Sequence, residues 1–300
     1  MAGRRMRRCR FCGGPVGGVR ATRGRLAGRR RRTGGFGSRP AMKDAKGIRL
    51  RLISLASCGL LLLLWWAATG PTGWVEGSRF PNPANFVESL QQVALGNYAG
   101  GSLAKHIATS SWLVARGFAL AVLIGLTLGL AMSLSAFCRD FFGPIFNFIR
   151  PVPPLAWIPL ALLWFGLGDA SKLFVMALAA SVPLVINTVT GVEQIDRTLL
   201  EAARVSGARG SVWLRHVILP GALPHIMIGM RLSLQTSWTV IVAAELLGAI
   251  WGVGKVLTAA KDDVYPGMIV VGMATVAVLG IASSMLLEWT ERRVVPWSRR

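Results

Sequence analysis

The most regular group of polar and small residues lies between two long apolar runs. Residues 201–207 have the sequence Glu-Ala-Ala-Arg-Val-Ser-Gly, and nine residues separate Gly207 from Val217-Ile-Leu-Pro220. The stretch Leu199–Val205 favours a helix, and Gly207 can adopt the positive φ that ends one. Residues Ser211–Leu219 predict a second short helix that Pro220 stops. This helix–turn–helix would either dock on another protein through its small alanines or lie on a lipid surface.

A glycine-rich stretch, Gly252-Val-Gly-Lys255, is the nearest approach to a nucleotide site. A phosphate-binding loop requires a glycine where this chain has Ala249, and a Ser or Thr where it has Val256. We therefore interpret the stretch as a turn and expect no ATP hydrolysis by this chain. The pair Cys9-Arg-Phe-Cys12 lacks the further ligands of a zinc site, so we expect no bound metal. We also expect no cofactor and no catalytic residue in this chain.

Composition excludes a soluble protein. Hydrophobic residues make up 53% of the 300 residues and charged residues 16%, against about 25% charged in soluble domains. The net charge of +21 is concentrated at the N-terminus, because residues 1–51 hold 17 of the 34 Lys and Arg and a single acid. We predict a disordered Arg- and Gly-rich arm over residues 1–47 and no nucleic-acid partner. The arm could instead reflect a start-site artefact, since a start at Met42 would leave a short tail.

Residues 48–300 carry apolar runs that approach the length of a membrane span, about 20 residues. Because backbone polar groups in lipid must be satisfied internally, these runs predict an all-α polytopic membrane bundle of about six helices. The third run is short and follows Pro151, Pro153 and Pro154, which either break a helix beside a pathway or form an entry turn, the interpretation that we prefer. The six runs are Leu52–Thr69, Trp112–Leu134, Leu155–Leu167, Leu173–Val192, Ile226–Ile250 and Met268–Leu287.

The loops between these runs differ in charge. The N-terminal flank, the loop after the second run, the loop at about 193–221 and the C-terminal tail are basic. The loops at 70–105, 168–172 and 251–267 are close to balanced. Because cytoplasmic loops carry the excess of Lys and Arg, we predict a protein of the cytoplasmic (inner) membrane with both termini in the cytoplasm.

Five stretches together resemble the permease subunits of ABC importers. The Glu-Ala-Ala pattern at 201–220 is similar to the EAA motif of that family, with Val217 in place of the usual Ile. The stretches Arg150–Gly168, Leu219–Pro224 and Trp238–Leu247 resemble permeases for nitrate, sulfonate and taurine, and the closing Arg293–Trp297 looks most like the taurine branch. The resemblance covers about residues 50–298 and implies the fold of type I importer permeases.

The resemblance also implies partners and a role. Such permeases work as a pair, here expected to be two copies of one chain, with a dimer of ATPase subunits that hydrolyses ATP and with a periplasmic or extracellular solute-binding protein. The solute would be a small sulfonate such as taurine or, alternatively, nitrate, an aliphatic sulfonate or another small solute. The residues that would couple the permease to its ATPase are Glu201, Ala202, Ala203, Gly207, Leu219 and Pro220.

Polar residues inside the apolar runs are costly in lipid and are therefore candidates for the pathway. These are Asn187, Gln235, Thr236 and Glu245. For Glu245 we slightly favour a buried structural role, because an acid repels an anionic solute. Arg116 would either contact such a solute or, as we prefer, extend its charge to the membrane surface. The pair Gly125 and Gly129 predicts close helix packing, within one subunit or between two.

Overall fold

The computed structural model describes residues 41–70 and 81–295 of the chain. The described residues are mainly helical, with one isolated antiparallel bridge between Tyr98 and Gly101. The arm as far as residue 40 and Trp297 of the terminal motif lie outside the described residues, whereas helix α1 begins at Ala41, inside the predicted arm. The α-helices are α1 (Ala41–Thr69), α2 (Pro83–Leu95), α3 (Leu103–Leu134), α4 (Ala136–Ile149), α5 (Ile158–Phe165), α6 (Asp169–Glu193), α7 (Arg197–Val205), α8 (Gly210–Trp213), α9 (Leu219–Gly248), α10 (Val253–Asp262) and α11 (Pro266–Val294).

The long apolar helices confirm the predicted all-α membrane bundle. Among the described residues, four helices are long and apolar enough to cross a membrane: α3, α6, the continuous helix Gly210–Gly248 and α11. A fifth crossing results if α4 and residues 154–165, bent by 91°, form one span. The first predicted run lies within α1, whose part Leu55–Thr69 is apolar. The chain is therefore helical both before and after Pro151, Pro153 and Pro154. The sequence had predicted a loop in place of α4.

Helix α6 lies at the centre of the bundle because glycines let its neighbours approach. A Cβ atom added to Gly125 of α3 would lie 2.8 Å from the Leu184 Cβ, and one added to Gly129 would lie 2.7 Å from the Thr188 Cβ. Real Cβ atoms do not approach so closely, so only glycine fits at these positions. The GxxxG pair of α3 therefore packs within the subunit, against α6.

The opposite face of α6 packs in the same way against α9. A Cβ atom at Gly229 of α9 would lie 2.9 Å from the Asn187 Cβ, and one at Gly191 of α6 would lie 2.7 Å from the His225 Cβ. The side chains between the three helices are buried and apolar, with Met176, Leu184 and Ile241 fully enclosed. Helices α3, α6 and α9 thus form the rigid part of the subunit.

The two ends of this bundle carry different elements. At the first end, the Arg116 guanidinium lies 3.6 Å from the Asp169 carboxylate, which joins α3 to the start of α6. The end of α9 and the helix α10 lie at the same end. At the second end, Arg231 of α9 pairs with Glu291 near the end of α11, and α7 and α8 lie between α6 and α9. The near-balanced loops at 168–172 and 251–267 therefore lie at one end of the bundle, and the basic end of α11 lies at the other.

Two local predictions were wrong. Pro220 does not stop a helix, because the chain continues as one helix from Gly210 to Gly248. A π-helical segment, Leu214–Ile218, precedes the proline, and the Leu219 N–H donates to the carbonyl of Leu214. This wider turn accommodates a ring that lacks an N–H and would crowd an ordinary helical turn. The stretch Gly252–Lys255 is also more than a turn, because Gly252 is the N-cap of α10.

Candidate functional site

Helix α7, which carries the Glu-Ala-Ala sequence, has a well-defined start and end. The Asp196 carboxylate accepts a hydrogen bond of 2.9 Å from the N–H of Thr198, and this bond holds the pKa of Asp196 below its usual value. At the other end, the N–H of Ala208 donates to the carbonyl of Ala203, and the N–H of Gly207 to that of Arg204, both at 3.0 Å. These two bonds form a Schellman motif, and Gly207 supplies its positive φ of 78°.

One face of α7 packs on the bundle and another is free of it. Leu200 packs against a cluster that includes Ile195 and Ile218. On the free face, Leu199 is 50% exposed and Val205 is 90% exposed. The predicted coupling residues Glu201 and Ala202 are exposed on α7, Ala203 is half-buried, and Gly207 lies in the turn. Leu219 and Pro220 lie one helix further along, exposed and half-buried respectively.

A cavity of about 590 Å³ lies between the bend after α4 and the middle of α6 and α9. The pathway candidates Gln235 and Thr236 both line it, on its α9 wall. Arg150, at the end of α4, is the one charged residue among the lining residues that the structure describes. The other lining residues are mostly apolar and include Pro153 and Pro154 of the bend, Pro183 of α6 and Thr239 of α9.

The structure does not bring the four pathway candidates together. Gln235 and Thr239 also line a second groove of about 670 Å³, which α9 forms with α11. Asn187 lines neither space, because its Nδ2 donates to the carbonyl of Pro183 at 2.8 Å and its Cβ packs on Gly229. Only Gln235 and Thr236 therefore share a cavity.

Glu245 is buried at the first end of the bundle, with 1% of its surface exposed. The Ser110 hydroxyl of α3 donates to its carboxylate, with Oγ 2.7 Å from Oε1 and 2.9 Å from Oε2. The N–H of Gly254 donates to Oε2 at 2.8 Å. The carboxylate therefore lies at the N-terminus of α10, where backbone N–H groups lack partners within their own helix.

The two glycines at the start of α10 make room for this carboxylate. A Cβ atom at Gly252 would lie 2.4 Å from the carboxyl carbon of Glu245, and one at Gly254 would lie 2.4 Å from the Glu245 Cβ. The Gly-Val-Gly stretch thus resembles a phosphate-binding loop because one of its backbone N–H groups, that of Gly254, donates to a carboxylate. Here the anion is a side chain of the same protein.

Sequence reasoning missed two members of this cluster, Ser110 and His106. The Ser110 hydroxyl accepts from the N–H of Val253 at 2.9 Å, and the His106 Nδ1 accepts from that of Gly252 at 3.1 Å. The His106 Nε2 lies 3.1 Å from the carbonyl of Tyr98, so this nitrogen carries the proton. A Gly-x-Gly at a helix start was the available signal, but the partners come from a helix more than 130 residues away. The described residues contain no group of three metal-ligating side chains.

The helical bundle with its exposed amphipathic loop defines a class of protein, and the comparison with known families agrees. Residues 121–299 match the family described as the binding-protein-dependent transport system inner membrane component, and the chain belongs to it. It is a multi-pass inner-membrane permease subunit of an ABC importer and not an enzyme, since ATP hydrolysis in such importers lies in a separate subunit.

Two relatives illustrate how far the similarity extends. The taurine transport system permease protein of Escherichia coli (strain K12) is 33% identical over 246 residues, which cover 82% of this chain and 89% of the relative. The nitrate import permease protein of Synechocystis sp. (strain ATCC 27184 / PCC 6803 / Kazusa) is 32% identical over 226 residues, which cover 74% and 82%. The two identities are nearly equal, so sequence identity alone does not select the solute.

Solved structures support the fold. An inward-facing structure of a methionine ABC transporter superposes with a TM-score of 0.54 at 23% sequence identity. The match covers 66% of this chain and 96% of the other. The arrangement of helices in this bundle is therefore the arrangement of an ABC importer permease.

Proposed function

We propose that this permease forms the pathway for a small sulfonate such as taurine and that α7 couples it to its ATPase. Two copies of the chain would form the pathway, a dimer of ATPase subunits would bind on the cytoplasmic side, and a solute-binding protein would deliver the solute from outside. The similarity to a taurine permease and the taurine-like closing sequence support the substrate. Nitrate, an aliphatic sulfonate or another small solute is the alternative.

The exposed face of α7 is the observation that carries the coupling role. Leu199 and Val205 remain exposed on a helix whose two ends are fully capped. A capped helix keeps its shape without a partner, so this apolar face is available for a preformed cleft on another protein. The basic side chains around it, Arg204, Arg209 and Arg215, are exposed as well and would serve either an acidic cleft or anionic lipid headgroups.

Substitution of Gly207 tests the coupling role. A Cβ atom at Gly207 would meet no atom within 4 Å, so its positive φ alone requires glycine. Gly207→Val should distort the turn, because β-branched residues strongly disfavour that conformation, whereas Gly207→Asn should retain more of it. We expect the Val variant to insert normally but to co-purify with less ATPase subunit than the Asn variant. Equal co-purification and uptake for wild type and both variants would contradict the proposal.

Ala203→Asp tests the packing of the same helix. Ala203 is half-buried on α7, so a carboxylate there would be partly desolvated. We expect normal insertion with loss of ATPase binding, or ATP hydrolysis without uptake. Ala203→Ser, which adds one polar atom and no charge, is the matched control.

The solute is tested with the complete importer in proteoliposomes. Uptake of taurine, an alkanesulfonate and nitrate is compared at a saturating concentration of loaded binding protein. We expect taurine to be transported fastest. Transport of nitrate without either sulfonate would replace the substrate assignment and leave the class of protein unchanged.

Cysteine labelling tests the orientation. We propose cytoplasmic termini, with the first end of the bundle facing outward, from the segregation of Lys and Arg. A membrane-impermeant reagent should label cysteines placed at Asn97 or Asp262 in intact cells and should not label one at Arg209. The reverse pattern would invert the proposed topology.

The N-terminal arm is tested by truncation. Its composition, with 13 Arg and no acid in residues 1–41, cannot support a packed core. A chain that starts at Met42 should therefore insert and transport like the full chain. Loss of assembly after this truncation would assign the arm a role.

A further inference from the structure

Arg150 is an exposed arginine that also lines the cavity beside the bend. It lies at the C-terminal end of α4, on the wall of the 590 Å³ cavity, and it is the one charged residue among the described residues of that wall. No described carboxylate lies within ion-pair distance, unlike Arg116, Arg139 and Arg231, which each have one. Its guanidinium therefore has donors to offer to an anion that enters the cavity.

The part of the cavity wall that α9 forms offers hydrogen-bond acceptors. The hydroxyl of Thr236 donates to the carbonyl of Leu232 at 2.9 Å, and that of Thr239 donates to the carbonyl of Gln235 at 3.1 Å. Because each hydroxyl hydrogen is used within α9, each threonine oxygen presents its lone pairs as acceptors. The amide of Gln235, on the same wall, can donate or accept.

We propose that this cavity holds the transported solute during its passage, with Arg150 binding an oxyanion group and the Thr236–Thr239 wall accepting from a donor group. This inference rests on the proposed function and deepens it. A solute with a sulfonate at one end and an ammonium at the other, such as taurine, matches both walls. Nitrate matches only the Arg150 wall.

The chemistry that Arg150 recognises, a small oxyanion, is shared by a sulfonate solute and by a lipid phosphate. The acceptor wall favours the solute, because a phosphate oxygen would face the threonine oxygens without a proton between them. The same cavity is lined by Pro153 and Pro154 of the bend, by Pro183 of α6 and by Thr239 of α9, so that it lies beside the interior of both long helices.

Charge removal at Arg150 is the central test. The complete importer is reconstituted, and uptake and ATP hydrolysis are measured at saturating loaded binding protein, so that capture by that protein does not limit the rate. We expect Arg150→Gln to lower uptake at least about tenfold while stimulated ATP hydrolysis continues, which lowers the solute moved per ATP. Arg150→Lys should fall between, because it keeps the charge but loses the bidentate geometry. Uptake by Arg150→Gln within twofold of wild type would overturn the inference.

Arg139→Gln is the matched control, since Arg139 lies on the same helix, is exposed and does not line the cavity. We expect its uptake per ATP to equal that of wild type. An equal loss for Arg139→Gln and Arg150→Gln would show a general effect of charge on α4 and would reject the cavity site.

A pair of variants on the α9 wall keeps the test valid if Arg150→Gln fails to assemble. Thr239→Glu and Thr239→Gln are almost equal in size and differ in charge, so their ratio isolates the effect of an acid in the cavity that Arg150 also lines. We expect Thr239→Glu to transport the anion at least about tenfold more slowly than Thr239→Gln. Equal rates would overturn the inference.

Two further measurements complete the test. One distinguishes a solute anion from a lipid headgroup, and the other distinguishes failure of the substrate proposal from failure of the cavity inference. The Arg150 effect is measured in liposomes of phosphatidylcholine alone and in liposomes with anionic lipid; an effect confined to anionic lipid would assign Arg150 to a headgroup and reject the solute site. If wild type transports nitrate and no sulfonate, the substrate proposal fails while the Arg150 test still applies to nitrate. If the transported solute is uncharged, the cavity inference fails while the class of protein stands.

Discussion

The two ends of the bundle use their polar groups in opposite ways. At the first end, the carboxylate of Glu245, the hydroxyl of Ser110 and the ring of His106 are buried and bind the start of α10. At the second end, α7 is capped by groups from its own turns, and apart from Leu200 and the half-buried Ala203 its side chains are exposed.

This difference assigns the stability of the subunit to the first end and its coupling to the ATPase to the second end. A buried carboxylate that fills a backbone pocket of its own chain has no capacity left for a partner, whereas a self-capped helix with exposed apolar side chains has most of its surface available. Substitutions at the first end should therefore change the free energy of unfolding. Substitutions at the second end should change assembly with the ATPase and leave unfolding almost unchanged.

The largest effect is expected for Glu245→Ala. Loss of the carboxylate leaves the N–H of Gly254 and the hydroxyl of Ser110 buried without their acceptor, and each orphaned group costs about 1–3 kcal/mol. We expect a clear fall in the thermal unfolding temperature of the purified subunit in detergent. Glu245→Gln keeps one carbonyl acceptor of nearly the same shape and should lose less.

Equal melting temperatures for wild type and Glu245→Ala would contradict the buried structural role. A variant that melts normally but transports poorly would instead return Glu245 to the pathway.

A smaller loss is expected for Gly252→Ala. The added Cβ would approach the Glu245 carboxyl carbon to 2.4 Å, and the φ of 141° at this position favours glycine. Helix α10 must then move away from the carboxylate, which weakens the hydrogen bond from the N–H of Gly254 to Glu245 without removing either partner. Gly280→Ala on α11, where a Cβ would meet no atom within 4 Å, is the matched control for thermal unfolding. Equal destabilisation by both variants would show that proximity to Glu245 is unimportant.

Sequence patterns predicted the α7 helix at the second end but not the Glu245 cluster at the first end, for a physical reason. The helix of Leu199–Val205 and the turn at Gly207 depend on neighbours within one helical turn, so local rules were sufficient for both. The cluster around Glu245 joins residues of α3, α9 and α10, and no local rule reports which distant side chain will fill a Gly-x-Gly turn. The prediction at Pro220 was wrong because the local rule for proline does not foresee the π-helical segment Leu214–Ile218, whose last residue is buried in the bundle.

At the second end, Val205→Glu should act on coupling alone. Val205 is 90% exposed, so the substitution removes almost no buried apolar surface and should change the free energy of unfolding by less than about 0.5 kcal/mol. A carboxylate on the apolar face should nevertheless lower co-purification of the ATPase subunit. Glu193→Gln, an exposed change at the end of α6, serves as the control. Normal ATPase binding by Val205→Glu would show that this face of α7 is not the docking surface.

The smallest effect concerns the start of α7 and its dependence on pH. The pKa of Asp196 is lowered by the hydrogen bond from Thr198, so its contribution to the helix start is fully present above the ordinary Asp pKa, about 3.9. That contribution is lost as the pH falls through the lowered pKa and the carboxylate is protonated. A spin label at Arg197 should therefore become more mobile in that acidic range in the wild-type chain. Asp196→Asn keeps the capping acceptor but does not titrate, so its label should show no such transition. If both chains change at the same pH, another group controls the start of α7, and its fit to a partner would not depend on Asp196.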